Sequence, residues 1–201
     1  MQQGVDQACG LLQSRDPLEV SDNAAVAYSA SDRRYEVPVL GHTIFVGPAQ
    51  RTLEGSSPES VFLLTKLAYF SRLSVLHYLL GAKPIEPTGR LLKPEELKSG
   101  QMYVAGSHLL PTLQLAARYS NDVEGYRARA ARLGGQARPY GDAAVQLHPF
   151  PRVPVTLILW LEDDEFPADS HLLFDETCES HLPPDIVWSV AMLSVLALLR
   201  L

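Results

Sequence analysis

The sequence has very little cysteine, since only Cys9 and Cys178 occur among its 201 residues. Structural zinc sites and iron–sulfur clusters need several thiolates or imidazoles close together, and this pair matches no such spacing. We therefore predict no metal site, and the pattern leaves open whether the two thiols form a disulfide. A chain of this length buries most of its apolar surface without disulfides or metals.

Targeting signals and long apolar runs are also lacking. The first 16 residues have neither a positively charged start nor a long apolar stretch, so we predict no signal peptide and a cytoplasmic location. Residues 186–199 carry no charge, but as a helix they span about 21 Å, against about 30 Å for the hydrocarbon core of a membrane. We predict a buried helix and no membrane contact, with a short tail anchor as the alternative.

Basic residues are nearly absent from the last quarter of the chain. Residues 153–201 contain nine acids and one base, Arg200, which gives −8, whereas residues 1–152 contain 14 acids and 16 bases, which gives +2. Such an acidic surface repels a phosphate backbone, so nucleic acid is not a predicted partner.

The hydrophobic patterns predict a single α+β domain over residues 1–201. The first 25 residues are mostly polar, and we predict a loosely packed N-terminal extension with one short helix. Residues 35–48 alternate between apolar and polar side chains around Gly41–His42, which indicates a β-hairpin, and Pro38 indicates an edge strand.

Two helices frame the predicted core. Residues 57–81 are apolar on nearly all sides, which predicts one central helix that starts at the N-cap Ser57 and ends at Gly81. A final helix follows "LPPD" at residues 182–185.

The stretch "RVPVTLILWL" at residues 152–161 predicts the central strand, because both of its alternating sets are apolar and it must be buried on both faces. "SHLLFD" at residues 170–175 predicts its neighbour. We therefore expect a central, mostly antiparallel sheet packed with long apolar helices.

Four adjacent acids, Glu162 to Glu165, follow the central strand directly. They lack the spacing and the glycine of an EF-hand, and in an extended backbone only alternate side chains converge. Asp163, Asp164 and Glu165 are nevertheless the candidate catalytic residues, because sites often lie where buried strands emerge and a carboxyl held near others can exchange protons. The alternative is a solvated turn.

A second group of candidates consists of ligand-binding residues. Thr88, Gly89 and Arg90 offer backbone N–H groups and a guanidinium to an anionic ligand, and Asp175 and His181 lie near Cys178 in the sequence. The histidine and cysteine side chains also suggest a transition-metal set or a Cys178–His181 nucleophile and base, but neither has a standard spacing. A surface turn is the alternative for residues 88–90.

Several stretches resemble an uncharacterised prokaryotic domain of unknown function of about this length, including "LHYLLGA" at 76–82, "GDAAV" at 141–145, "FPRVPV" at 150–155, "DDEFPA" at 163–168 and "LLFDETCESHLPPD" at 172–185. The resemblance implies a family that is common in anaerobes, with some members fused to a small iron–sulfur cluster domain and some encoded beside genes of corrinoid or one-carbon metabolism. The resemblance implies a redox or corrinoid protein as partner. It does not indicate which activity, cofactor or catalytic residues the protein has.

Three hypotheses follow. The first is a cytoplasmic cofactor-binding or accessory domain linked to anaerobic corrinoid or iron–sulfur metabolism, with an unknown cofactor. The second is a metal- or carboxylate-dependent hydrolase that uses the acidic segment 162–175. The third is a structural subunit of a larger complex.

Overall fold

Two antiparallel sheets and a set of helices share one core in the computed structural model, which describes residues 2–98, 100 and 109–201. This confirms a single α+β domain. Residues 1, 99 and 101–108 lie outside the described part.

The helices are α1 (Gln2–Gln13), α2 (Pro17–Ala24), α3 (Pro58–Thr65), α4 (Ala68–Gly81), α5 (Thr112–Tyr119), α6 (Val123–Arg132), α7 (Cys178–His181) and α8 (Pro184–Arg200), with one 3₁₀ turn at Pro94–Glu96. The strands are β1 (Ala27–Ser29), β2 (Arg34–Val39), β3 (His42–Gly47), β4 (Thr52–Gly55), β5 (Leu91–Leu92), β6 (Gln136–Arg138), β7 (Ala143–Phe150), β8 (Val153–Trp160) and β9 (Asp169–Asp175).

The strands form two sheets rather than one, with the orders β1-β2-β3-β4 and β5-β9-β8-β7-β6. The predicted central strand is the middle strand of the larger sheet, and all of its residues except Trp160 are buried. This burial confirms the prediction of a doubly buried strand. The two sheets meet where the Leu40 amide donates to the His148 carbonyl at 3.0 Å.

The predicted hairpin is β2–β3, but its turn lies one residue earlier, at Leu40–Gly41, where both residues have positive φ. Two positive φ values match the right-handed twist of the paired strands. The prediction that Pro38 marks an edge strand was wrong, since β2 lies between β1 and β3. Pro38 is tolerated because β1 pairs only with Arg34 to Glu36, so its nitrogen faces no β1 residue.

The N-terminal residues are not a loosely packed extension. Helix α1 buries Val5, Ala8, Cys9 and Leu12 in the main core and packs against α4. Its apolar residues recur every three to four positions, so one face is buried although the segment is polar on average.

The predicted central helix is two helices, α3 and α4, separated at Lys66–Leu67. Ser57 caps α3 as predicted, in a reciprocal pair with Ser60. At the break, the Ser71 hydroxyl donates to the Leu63 carbonyl at 2.7 Å and so replaces a lost helical bond. An all-round apolar sequence contains no signal for such a break.

Helix α8 confirms the predicted buried terminal helix, because 11 of its 17 residues are buried and it packs against α4. Among the described helices, none has both the length and the hydrophobicity needed to span a bilayer.

Candidate functional site

The buried carboxylate of Asp175, at the end of β9, is held by four hydrogen bonds. The amides of Thr88 (3.3 Å), Gly89 (2.7 Å) and Thr177 (3.1 Å) and the Thr177 hydroxyl (2.8 Å) all donate to it. Gly89 has a φ of +80°, which presents its amide to the carboxylate without strain. The anion held by the predicted 88–90 turn is therefore a side chain of the protein itself.

Glu176 completes the closure of this turn. The Thr88 hydroxyl donates to it at 2.9 Å, and the Arg90 guanidinium forms an ion pair with it at 3.1 Å. Three of the predicted ligand-binding residues, Thr88, Gly89 and Arg90, thus fasten the loop between α4 and β5 onto the end of β9.

His181 is buried at the end of α7, beside this loop. Its Nδ1 accepts a hydrogen bond of 3.3 Å from the Lys83 amide, so the neutral ring carries its proton on Nε2. That Nε2 is buried without a hydrogen-bond partner among the described residues. Burial lowers the pKa of His181, and the positive charges of Arg152 and Lys83 lower it further.

Cys178 lies one turn before His181 and is a free, buried thiol, as is Cys9. Burial raises the pKa of Cys178 to about 12, and the charge of Glu179 adds to the shift. The thiol is therefore protonated at neutral pH, which removes the thiolate that a nucleophile needs. No three His, Cys, Asp or Glu residues in the described ranges are grouped to hold a metal.

A cleft of about 570 Å³ opens next to His181. Two lysines, Lys83 and Lys98, line it together with Gly81 and residues 179–184. The Lys98 amide donates to the Glu179 carboxylate at 2.9 Å, which fixes this wall to α7. The cleft therefore combines two lysines and the Glu179 carboxylate with apolar proline rings.

The acidic run lies at the other end of β9. The carboxylate of Asp163 accepts the amides of Glu165 (2.8 Å) and Phe166 (2.7 Å), and these bonds lower its pKa. Asp163 thus binds the backbone of Glu165. Asp164 and Glu165 are exposed, and the run caps its own turn.

A second cavity, of about 690 Å³, lies beside this turn. Of the three predicted acids, only Asp163 lines it, with Trp160, Phe166 and the pair Asp169–His171 at 3.2 Å. The cavity lies at the Asp169 end of β9 and the His181 cleft lies beyond its Asp175 end, and the seven residues of the strand span about 20 Å. The predicted catalytic and ligand-binding residues therefore belong to two separate places.

The sequence model of the domain of unknown function DUF3786 matches residues 16–197. This chain belongs to the DUF3786 family. No curated protein and no solved structure matches the chain.

Arg152 is the buried residue of this DUF3786 domain that the sequence analysis missed. Its side chain forms an ion pair with Glu86 and donates to the Asn23 carbonyl at 2.8 Å, while its amide donates to the Tyr78 hydroxyl at 3.2 Å. Tyr78 in turn donates to the Ala24 carbonyl at 2.7 Å. Arg152 therefore ties the end of α2, α4 and the loop after α4 to the start of β8.

Local sequence gives no signal for this role of Arg152. It lies in a two-residue turn between strands, where an arginine is ordinarily exposed. Its partners lie 66 to 130 positions away in the sequence. Only the packing of α2 and of the loop against the turn makes it a buried cation.

Proposed function

We propose that this DUF3786 domain is a small-molecule-binding accessory domain whose ligand occupies the His181 cleft. One observation carries the proposal: the buried Nε2–H of His181 lacks an acceptor within the part of the chain that the structure describes, beside a cleft that two lysines flank. A buried donor without a partner costs about 1–3 kcal/mol. A ligand that displaces the wall of the cleft and places an acceptor atom on this Nε2–H relieves the cost.

The lining favours an anionic ligand with an apolar body. Lys83 and Lys98 outnumber Glu179, the one acid among the described lining residues. They supply positive charge to a phosphate or carboxylate, while Pro183 and Pro184 supply flat apolar contact. Corrinoids, haem and flavin nucleotides all combine such an anionic group with a large ring. The resemblance to proteins associated with corrinoid and iron–sulfur metabolism in anaerobes supports the same class, with a redox or corrinoid protein as partner.

A cytoplasmic setting belongs to the same proposal. The two cysteines are free and buried, which agrees with a reducing compartment.

Titration of the purified protein with cobalamin, haem and flavin mononucleotide, followed by absorbance and calorimetry, tests the proposal. We expect one of them to bind, and the double variant Lys83→Ala/Lys98→Ala to weaken that binding about tenfold, since two charge-assisted contacts are lost. Lys66→Ala is the matched control, because this exposed lysine lies beyond the opposite end of α4, about 21 Å away.

The His181 side chain separates a specific site from general attraction to lysines. We expect His181→Leu to weaken binding at unchanged salt, whereas His181→Gln, which keeps a donor, retains more of it. If none of the three compounds binds below high micromolar concentrations, the cofactor proposal is abandoned.

The second candidate function is the hydrolase, which the Asp169–His171 pair favours because it lies with Asp163 on the wall of the second cavity. An imidazole that a carboxylate orients is a common general base. Metal titration and elemental analysis, together with ester and phosphoester substrates, test it. Loss of hydrolysis in His171→Asn supports the hydrolase, whereas no hydrolysis by the wild type, or hydrolysis unchanged in both His171→Asn and Asp163→Asn, would remove it.

A further inference from the structure

Three of the large apolar side chains that the structure exposes border the second cavity, at the Asp169 end of β9. Leu113 is 69% exposed, Phe166 is 66% exposed and Trp160 is 46% exposed. We call these three residues the apolar patch. Trp160 is the last residue of β8 and its one exposed residue, since the seven others are buried.

A concave surface with several exposed large apolar residues is unusual on a soluble domain and marks interaction sites. Tryptophan is among the residues that dominate binding energy at protein interfaces, because it buries a large rigid area. The cavity of about 690 Å³ between Trp160 and Phe166 is wide enough to take a large side chain of a partner.

The rim of the apolar patch is acidic. Asp142, Asp163 and Asp169 line the cavity, and no lysine or arginine is among its lining residues in the described ranges. The acidic run adds Glu162, Asp164 and Glu165 next to it, within the segment that carries −8. The Asp142 and Asp163 carboxylates are fixed by the amides of Leu161 (2.8 Å) and Phe166 (2.7 Å), so these charges have set positions.

We propose that the apolar patch docks a partner protein that presents an apolar anchor side chain ringed by lysine or arginine. Charge complementarity selects this occupant, because acidic rims steer basic partners and repel acidic ones. A symmetric contact with a second copy would place the two acidic rims against each other, which is unfavourable. The proposal is independent of the His181 cleft, which lies beyond the other end of β9 and whose described lining residues differ from those of this cavity.

Defined peptides test the chemistry of the partner. The probes are three helical peptides of equal length: one with a leucine face and lysines, one with the same face and glutamates, and one with serines in place of the leucines. We expect the first to bind most tightly to the full chain in fluorescence anisotropy. We expect Trp160→Ser/Phe166→Ser to weaken it about tenfold, as loss of interface anchors does.

Tyr69→Ser is the matched control, because Tyr69 is 67% exposed and lies on α4, away from the apolar patch. Equal binding of the glutamate or serine peptide, or unchanged binding to the Trp160/Phe166 variant, would overturn the proposal. Circular dichroism of both variants verifies the fold. A wild-type dimer that this variant dissociates would also overturn it, because a second copy would then be the occupant.

Failure of these peptides leaves the cofactor titration unaffected, and failure of that titration leaves the apolar patch unaffected. The same double variant must bind the ligand of the His181 cleft as the wild type does, which shows that the two sites act separately.

Discussion

The Gly89 amide donates a hydrogen bond of 2.7 Å to the Asp175 carboxylate, across 86 positions of the sequence. This bond, with that of Thr88, holds the loop after α4 against the end of β9. The loop carries Lys83 and Glu86, which face His181 and Arg152. One buried carboxylate thus positions the wall of the proposed ligand cleft.

The first prediction concerns Asp175→Asn. The amide oxygen replaces only one carboxylate oxygen, so either Gly89 or the Thr177 side of the cluster faces an NH₂ group. We expect a loss of about 1–3 kcal/mol in the free energy of unfolding, measured by urea denaturation. Asp164→Asn, at an exposed position, is the control, and we expect a change within about 0.5 kcal/mol. Equal stabilities of the two variants would contradict the role of Asp175.

The second prediction concerns the contact between α4 and α7. A Cβ at Gly81 would lie 2.6 Å from the His181 carbonyl oxygen, so Gly81→Ala must push the two helices apart. We expect overpacking to lower the free energy of unfolding by roughly 1–3 kcal/mol, which is seen as a lower melting temperature. We also expect weaker ligand binding in the cleft. Gly10→Ala is the matched control, because a Cβ there meets nothing within 4 Å and α1 gains helix propensity. A stabilised Gly81→Ala variant would show that the contact is loose.

The third prediction is a pH dependence from His181. Its pKa is lowered in the folded protein, by burial first and by Arg152 and Lys83 next, against the opposing charges of Asp175 and Glu86. Below about pH 6.5 the unfolded chain therefore binds a proton that the folded protein does not. The stabilisation is complete above that pH and is lost as the pH falls towards the folded pKa.

Urea unfolding of wild type and His181→Gln between pH 7.5 and 5 measures this effect. We expect the stability of the wild type to fall more steeply with acid than that of the variant. The variant His148→Gln provides a comparison, because burial and the charge of Arg138 also lower the pKa of His148. A constant difference between wild type and His181→Gln over this range would contradict the prediction.

The fourth prediction is that neither thiol reacts in the folded protein. Burial raises the pKa of both Cys9 and Cys178, so the reactive thiolate is scarce and enclosed. We expect no labelling by iodoacetamide at pH 8 without urea and double labelling in urea, measured by mass spectrometry. Ser31→Cys, at an exposed position, is the positive control. Rapid labelling of Cys178 would restore the nucleophile hypothesis.

Much of the fold followed from local patterns. The doubly apolar strand β8, the Ser57 cap and the helix α8 were predicted because burial on both faces, a capping hydroxyl and an unbroken apolar run each need only neighbouring residues. The break between α3 and α4 was not predicted, because the bond from Ser71 to Leu63 that compensates for it forms only when the chain has turned.

The candidate sites show the same limit. The acidic run was found because its four charges are adjacent, but the sequence did not reveal that Asp163 caps its own turn. Arg152 was missed because burial of a charge depends on partners from α2 and from the loop after α4. A buried charge is stable only with partners in place, and those partners are distant in sequence.

The sequence alone determined the α+β class, the central place of β8 and the acidic character of the C-terminal segment, because hydrophobic period and charge are properties of consecutive residues. Only the tertiary structure decided that the Thr88 and Gly89 amides bind Asp175, that the Nε2–H of His181 has no acceptor among the described residues, and that Trp160 and Phe166 share one cavity. These facts depend on hydrogen-bond distances and exposure between residues that approach each other only when the two sheets and the helices pack.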